Sequence, residues 1–221
     1  MKSTSTFLTR AVFAASLIFI TNLASAEENK KERCRWWQVG CEEQRIEGLP
    51  SEAPRDGTVI TIDVSTNQAY LFQEGELVRK SAAATGTDKV LKRGLRFWLF
   101  RTPRGRHKVL RKIENPVWTK PDWAFVEEGK PVPPPDSPSR KVTGKLGKYA
   151  LDLGDGILIH GTDDPKSIGK RASHGCIRLP NEMLKTVYRA AEIGTEVHIF
   201  DSGTGTPQTA EKHSDLDYLK D

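Results

Sequence analysis

From Thr58 to Ala84 the chain repeats a single local pattern, short runs of β-branched and aromatic residues separated by tight-turn residues. Val59, Thr61 and Asp63 alternate with Ile60, Ile62 and Val64; after Ser65-Thr66-Asn67 the run resumes from Gln68 to Gln73, and Glu74-Gly75-Glu76 leads into Leu77 to Ala84, ended by Gly86. A period of two puts successive side chains on opposite faces of a strand. Turns of two or three residues join only antiparallel neighbours, because a parallel return needs a crossover of a dozen residues or more. The expectation is an antiparallel β-meander, and hence a mainly β fold.

The rest of the chain continues in this style with one exception. Phe97 to Phe100 is a short apolar run, Thr102-Pro103-Arg104-Gly105 a turn, and His107 to Ile113 a further strand in which His107 is read as structural. Asn115 to Pro138 is irregular, with Trp118, Trp123, Phe125 and five prolines from Pro131 onward. Its aromatics favour a folded wall or flap over disorder. Gly154-Asp155-Gly156 turns into Ile157-Leu158-Ile159, a strand that delivers His160. The exception follows Asn181, read as the cap of an amphipathic helix with Leu184, Val187, Tyr188 and Ala191 on one face and Gly194 at its end. Thr195 to Phe200 returns as a strand. No internal repeat occurs, and one catalytic-size domain, residues 58–200, accounts for the pattern.

The ends read differently. Lys2 and Arg10 precede the apolar run Ala11 to Ile20, and Ala24-Ser25-Ala26 fits a small-x-small cleavage site, so residues 1–26 are expected to be a secretory signal. The apolar core is about half the roughly 20 residues of a spanning helix. The expected location is therefore the periplasm or cell wall. Cleavage removes Lys2 and Arg10 and no acid, taking the formal charge from +5 to +3. The remaining cations are spread along the chain, which argues against nucleic acid as a partner. Residues 27–57 read as a charged arm carrying Trp36-Trp37, and 201–221 as a polar tail.

Three cysteines in an exported chain are an odd number. Cys34 and Cys41 can close a small loop, worth about 2 to 3 kcal/mol. Cys176 is left over, which points to a reactive thiol or an intermolecular partner. Its neighbourhood favours the first. His174 and Gly175 precede it directly, and His160 ends a strand sixteen positions upstream. A cysteine attacks as thiolate, and with a free pKa of about 8.5 it needs a base at neutral pH. A strand end holds an imidazole more firmly than a turn does, so His160 is the expected base and His174 a supporting or substrate-facing group. Gly175 lets the backbone bend and turn amides at residues 174–176 toward an attacked carbonyl. Arg178 is suited either to a substrate carboxylate or to an ion pair with Asp163 or Asp164. The spacings that build zinc sites are missing, so no metal and no cofactor is expected.

Ile159-His160-Gly161-Thr162 followed by Ser173-His174-Gly175-Cys176-Ile177-Arg178-Leu179 closely resembles the signature of the L,D-transpeptidase (YkuD-like) family. The resemblance extends to VITIDVSTNQAYLFQEGELV, the TPRG turn, NPVWTKPDW and KYALDLGDGILIHGT, covering Thr58 to Phe200. It implies curved, mixed and antiparallel sheets flanking a groove, with one amphipathic helix after the nucleophile. It also implies Cys176 as nucleophile, His160 as base, Ser173, His174 and Gly175 as the segment leading to the thiol, and Arg178 as the motif arginine. Gly161 would orient the imidazole through its carbonyl. Arg104 departs from the small or hydroxyl residue common in that turn.

The implied substrate is the peptidoglycan tetrapeptide stem. Cys176 would attack the carbonyl of the third residue and expel the terminal D-alanine, and the thioester would pass to an amine. The amine belongs to a second stem, giving a 3-3 cross-link, or to an outer-membrane lipoprotein. Water as acceptor would make the chain an L,D-carboxypeptidase, and a silent groove would make it a wall-binding protein.

Overall fold

The computed structural model describes residues 47–203. The expected signal, the Trp36-Trp37 arm, the Cys34–Cys41 pair and most of the tail lie outside the described residues. Strands β1 (Thr58–Asp63), β2 (Gln68–Gln73) and β3 (Glu76–Ala82) form the expected meander. Asn67, Glu74 and Gly75 take positive φ at its two turns, a conformation that asparagine and glycine tolerate best. Next come β4 (Thr85–Gly86), β5 (Val90–Arg93) and β6 (Arg96–Leu99), the last two pairing only with each other.

The segment read as one strand from His107 to Ile113 is two. β7 (Gly105–Lys108) and β8 (Arg111–Glu114) belong to different sheets. Between them Val109, fully buried, bonds to Thr195 and Gly194, while the Leu110 amide donates to Asp152 O at 2.7 Å. The alternation survives the crossing, so the sequence carries no mark of it.

The irregular passage is folded. β9 (Trp118–Thr119) precedes a helix, α1 (Asp122–Glu127), which local periodicity had not marked; β10 (Lys141–Val142) closes back on β9. Arg140 holds it together, only 5% exposed. Its guanidinium donates to the carbonyls of Lys120, Pro133 and Pro134 and pairs with Asp122 at 2.7 Å. Prolines that cannot donate leave carbonyls seeking partners, and one buried arginine satisfies several of them.

β11 (Tyr149–Asp152), β12 (Leu158–His160), β13 (Arg171–Ser173) and β14 (Ile177–Arg178) precede α2 (Asn181–Ala190) and β15 (Glu196–Phe200). The five-stranded sheet runs β3-β2-β1-β15-β7 and the four-stranded sheet β14-β12-β11-β8. Parallel pairs, β1 with β15 and β12 with β14, mix with antiparallel ones. The helix expected after Asn181 is present, with Met183, Leu184 and Val187 buried against Leu151, Ile159 and Ile177. Asn181 does not cap it. Pro180 holds the cap position, and the Asn181 carboxamide lies beside Gly161.

β1 is buried on both faces. Ile60 and Ile62 enter the core between the sheets, and Val59 packs with Leu49, Ala53, Tyr70 and Phe72 on the other side. The last residues before Thr58 therefore cover the meander's outer face rather than only leading into it.

Candidate active site

The parallel pairing of β12 with β14 builds the site. Its register sets Ile159 opposite Ile177 and His160 opposite Arg178. Ile159 and Ile177 are fully buried in the core. By alternation His160, Arg178 and Cys176, which precedes β14, project from the opposite face of the sheet. Two segments separated by sixteen residues are thereby brought to one surface.

His160 is 5% exposed. Its Nδ1 lies 2.5 Å from the carbonyl oxygen of Gly161. A carbonyl only accepts, so Nδ1 carries the proton and Nε2 presents a lone pair. Burial, assisted by the Arg178 charge and opposed by the Gly161 hydrogen bond, lowers the imidazole pKa to about 4. His160 is neutral throughout the neutral range, the form a base requires.

Cys176 keeps partial solvent access. Its Sγ donates to Gly156 O at 3.5 Å rather than to the imidazole. Burial raises the thiol pKa; the Leu158 backbone hydrogen bond and Arg178 act in the opposite direction. The resting pair is a neutral thiol and a neutral imidazole. Arg178 makes no ion pair among the described residues: Asp163, one of its expected partners, is engaged by Lys145 at 2.8 Å. Its guanidinium remains available on the cysteine's face.

The segment leading to the thiol is tied by its own side chains. Ser173 Oγ donates to Cys176 O at 2.5 Å and accepts from the Gly175 amide at 3.1 Å. Gly175 has φ +129°, and a Cβ there would meet Arg101 O at 3.2 Å, so both conformation and space require glycine. Because its amide is committed to Ser173, the donors left at this turn for an oxyanion are those of His174 and Cys176.

His174 faces the folded flap. Its ring stacks on Trp123 with centroids 4.0 Å apart and meets Phe100 edge-on at 4.4 Å. Nε2 is 2.9 Å from a Glu127 carboxylate oxygen on α1. Burial lowers its pKa and Glu127 opposes the shift. Sequence reasoning did not single out Trp123, Glu127 or Phe100 as site residues. Thr102 was also missed: its hydroxyl donates to Gly175 O and accepts from the Gly86 amide, both at 2.8 Å. The one available signal was the TPRG turn, which fixes no partner. Arg104 of that turn pairs with Asp201. His107, read as structural, contacts Pro103 O at 3.3 Å.

The model of the YkuD family, the L,D-transpeptidase catalytic domain, matches residues 57–199. The probable L,D-transpeptidase YbiS of Escherichia coli strain K12 is 32% identical over 170 residues, 70% of this chain and 53% of that protein. The probable L,D-transpeptidase ErfK/SrfK of Salmonella typhimurium is 37% identical over 172 residues, with the same two coverages. The chain thus spans about half the length of these curated relatives. Among solved structures, an L,D-transpeptidase from Xylanimonas cellulosilytica superposes with a TM-score of 0.50 at 21% identity, covering 69% of this chain and 64% of that one. That likeness concerns the fold.

Proposed function

The chain belongs to the L,D-transpeptidase catalytic-domain family, and from that premise we propose that it is an exported, cysteine-dependent acyltransferase acting on peptidoglycan tetrapeptide stems. Its strongest support is the β12–β14 register, which turns Cys176, His160 and Arg178 to one face. The Gly161 carbonyl holds the imidazole as the tautomer with a free Nε2.

In this reading the thiol proton passes to His160 Nε2 as Sγ bonds to the carbonyl carbon of the stem's third residue. The His174 and Cys176 amides receive the developing oxyanion. Arg178 holds a stem carboxylate. Collapse breaks the amide bond, His160 returns the proton to the departing D-alanine amine, and a thioester remains. An acceptor amine then gives up its proton to His160 and displaces the thiolate, restoring Cys176. A neutral resting pair suits this sequence, because charge separation is deferred until substrate excludes water and supplies the developing oxyanion. The acceptor is a second stem or an outer-membrane lipoprotein; water in its place gives carboxypeptidase activity.

Purified protein incubated with tetrapeptide muropeptides should release D-alanine and carry the stem as a thioester on Cys176, read by mass spectrometry. Retention of D-alanine, with no adduct on a folded protein, would refute the proposal. Supplying stem amine or lipoprotein amine in separate reactions identifies the acceptor by product mass.

A further inference from the structure

Two hydroxyls reach the turn that carries the thiol, and they hold different peptide planes. Ser173 Oγ, from within the turn, accepts from the Gly175 amide. Thr102 Oγ1, from a segment 73 residues upstream, donates to Gly175 O at 2.8 Å. A carbonyl only accepts, so the hydroxyl proton points at Gly175 and the Thr102 oxygen accepts from the Gly86 amide, also at 2.8 Å. Thr102 is 4% exposed, so the Gly175 carbonyl is turned into the protein. The backbones come this close because Gly86 and Gly175 lack side chains: a Cβ on Gly86 would lie 2.5 Å from Phe100 O, and one on Gly175 3.2 Å from Arg101 O.

The peptide that carries Gly175 O also carries the Cys176 amide. It is planar and trans, so its N–H points the opposite way from its C=O. With the carbonyl drawn inward to Thr102, the Cys176 N–H is aimed away from it. Cys176 is partly exposed, and its amide has no backbone partner among the described residues. A peptide that follows glycine rotates easily, because no Cβ limits the backbone there. Among the described residues, the Thr102 hydroxyl is the donor that stops Gly175 O from turning.

We propose that Thr102 is a positioning residue for acyl transfer, aiming the Cys176 amide at the oxygen of the attacked carbonyl through its hold on Gly175 O. This rests on the reading of Cys176 as nucleophile and adds the group that sets the nucleophile's own amide as an oxyanion donor. Without the hydroxyl, the buried carbonyl is left unsatisfied and turns to find a donor. The amide, in the same plane, turns with it. A residue that only packed the turn would affect every reaction of the thiol alike, whereas one that aims an oxyanion donor affects attack at a carbonyl alone.

The test uses the full chain with Thr102→Val, which keeps the shape and removes the hydroxyl, and Thr102→Ser, which keeps the hydroxyl. p-Nitrophenyl acetate acylates a thiol through an oxyanion: the bond from Sγ to the carbonyl carbon forms, the thiol proton passes to His160, and p-nitrophenolate leaves. Iodoacetamide alkylates the same thiol at a saturated carbon, where no oxyanion develops. Acetylation of Cys176, followed by p-nitrophenolate release and intact mass, should slow about tenfold or more in Thr102→Val, approaching the effect of losing an oxyanion donor. Alkylation at the same pH should keep the parent's rate, and Thr102→Ser should recover acetylation. Thr102→Val acetylating as fast as the parent, or losing both reactions equally, would overturn the proposal, as would a parent that is alkylated but not acetylated. A measurement on the parent covers a Thr102→Val that does not fold. Acetaldehyde adds to Sγ as a hemithioacetal, the thiol proton passing to the carbonyl oxygen. Hydrogen exchange read by NMR should be slow at Gly86 throughout, and at Cys176 fast in the free protein and slower in this adduct. An unprotected Gly86 amide, or equal Cys176 exchange in the two states, would overturn the proposal. The ester carries no stem, so D-alanine release tests the acyltransferase reading and these rates test Thr102.

Discussion

The imidazole of His174 lies flat on the indole of Trp123, their planes 14° apart. Through this stack and the Glu127 contact, the proline-rich flap grips the residue two before the thiol. Trp123→Ala should destabilise the fold by about 2 kcal/mol, below the usual cost for a fully buried aromatic because Trp123 is only half-buried. It should lower kcat more than it raises KM, because the His174 amide is one of the two proposed oxyanion donors. Urea denaturation and steady-state release of D-alanine check the two effects.

Gly147 and Gly161 pass with their backbones touching; a Cβ on Gly147 would lie 2.9 Å from Gly161 Cα. Gly147 also has φ +73°. Gly147→Ala should therefore cost about 2 to 4 kcal/mol from overpacking and left-handed strain together. It should displace the carbonyl that orients His160, reducing kcat at least tenfold. Denaturation and kinetics on the same sample measure both.

The buried His160 makes stability depend on pH. Its pKa is about 4 in the folded protein against 6.5 for an unperturbed histidine, so between these values only the unfolded chain takes up the proton. Its contribution is complete above about pH 6.5 and is lost as pH falls toward 4, by roughly 3 kcal/mol. Burial of His174 acts in the same direction. Urea midpoints should fall over this interval, and His160→Asn should flatten the slope. Activity should persist well below pH 6.5.

The raised thiol pKa predicts slow alkylation of Cys176 by iodoacetamide at neutral pH, accelerating above the ordinary thiol range. Arg178→Gln should slow it further, because that charge favours the thiolate. The same substitution should raise the His160 pKa, since the guanidinium also disfavours the imidazolium. Alkylation rates followed by intact mass across pH report the first effect, and NMR titration of the imidazole the second.

Arg140→Ala removes the donor that satisfies the flap's carbonyls and leaves Asp122, among the described residues, with the exposed Arg96 as its ion-pair partner. A loss of about 3 to 5 kcal/mol is expected from breaking a buried charged network. Hydrogen exchange should rise across residues 118–142 while the meander stays protected.

The meander, the strand into His160 and the helix after the cysteine were legible in the sequence because each is written in local periodicity. Cys176 and His160 stood out in the sequence because few residue types offer nucleophile and base chemistry, and the β12–β14 pairing brings their segments together. Arg140, Trp123, Glu127 and Thr102 were not, since what matters about them is a partner far along the chain and nothing beside them names it.

A mainly β chain, a histidine at a strand end and a lone cysteine set among histidine and glycine are all written locally, because alternation, turn residues and side-chain chemistry act over a few positions. Packing alone parts β7 and β8 into different sheets at Val109. It also decided that Asn181 turns to Gly161 instead of capping α2, and that Gly175 spends its amide on Ser173. Those outcomes depend on which backbone donors, acceptors and empty volumes meet in space, and distant segments supply them only once the sheets have packed.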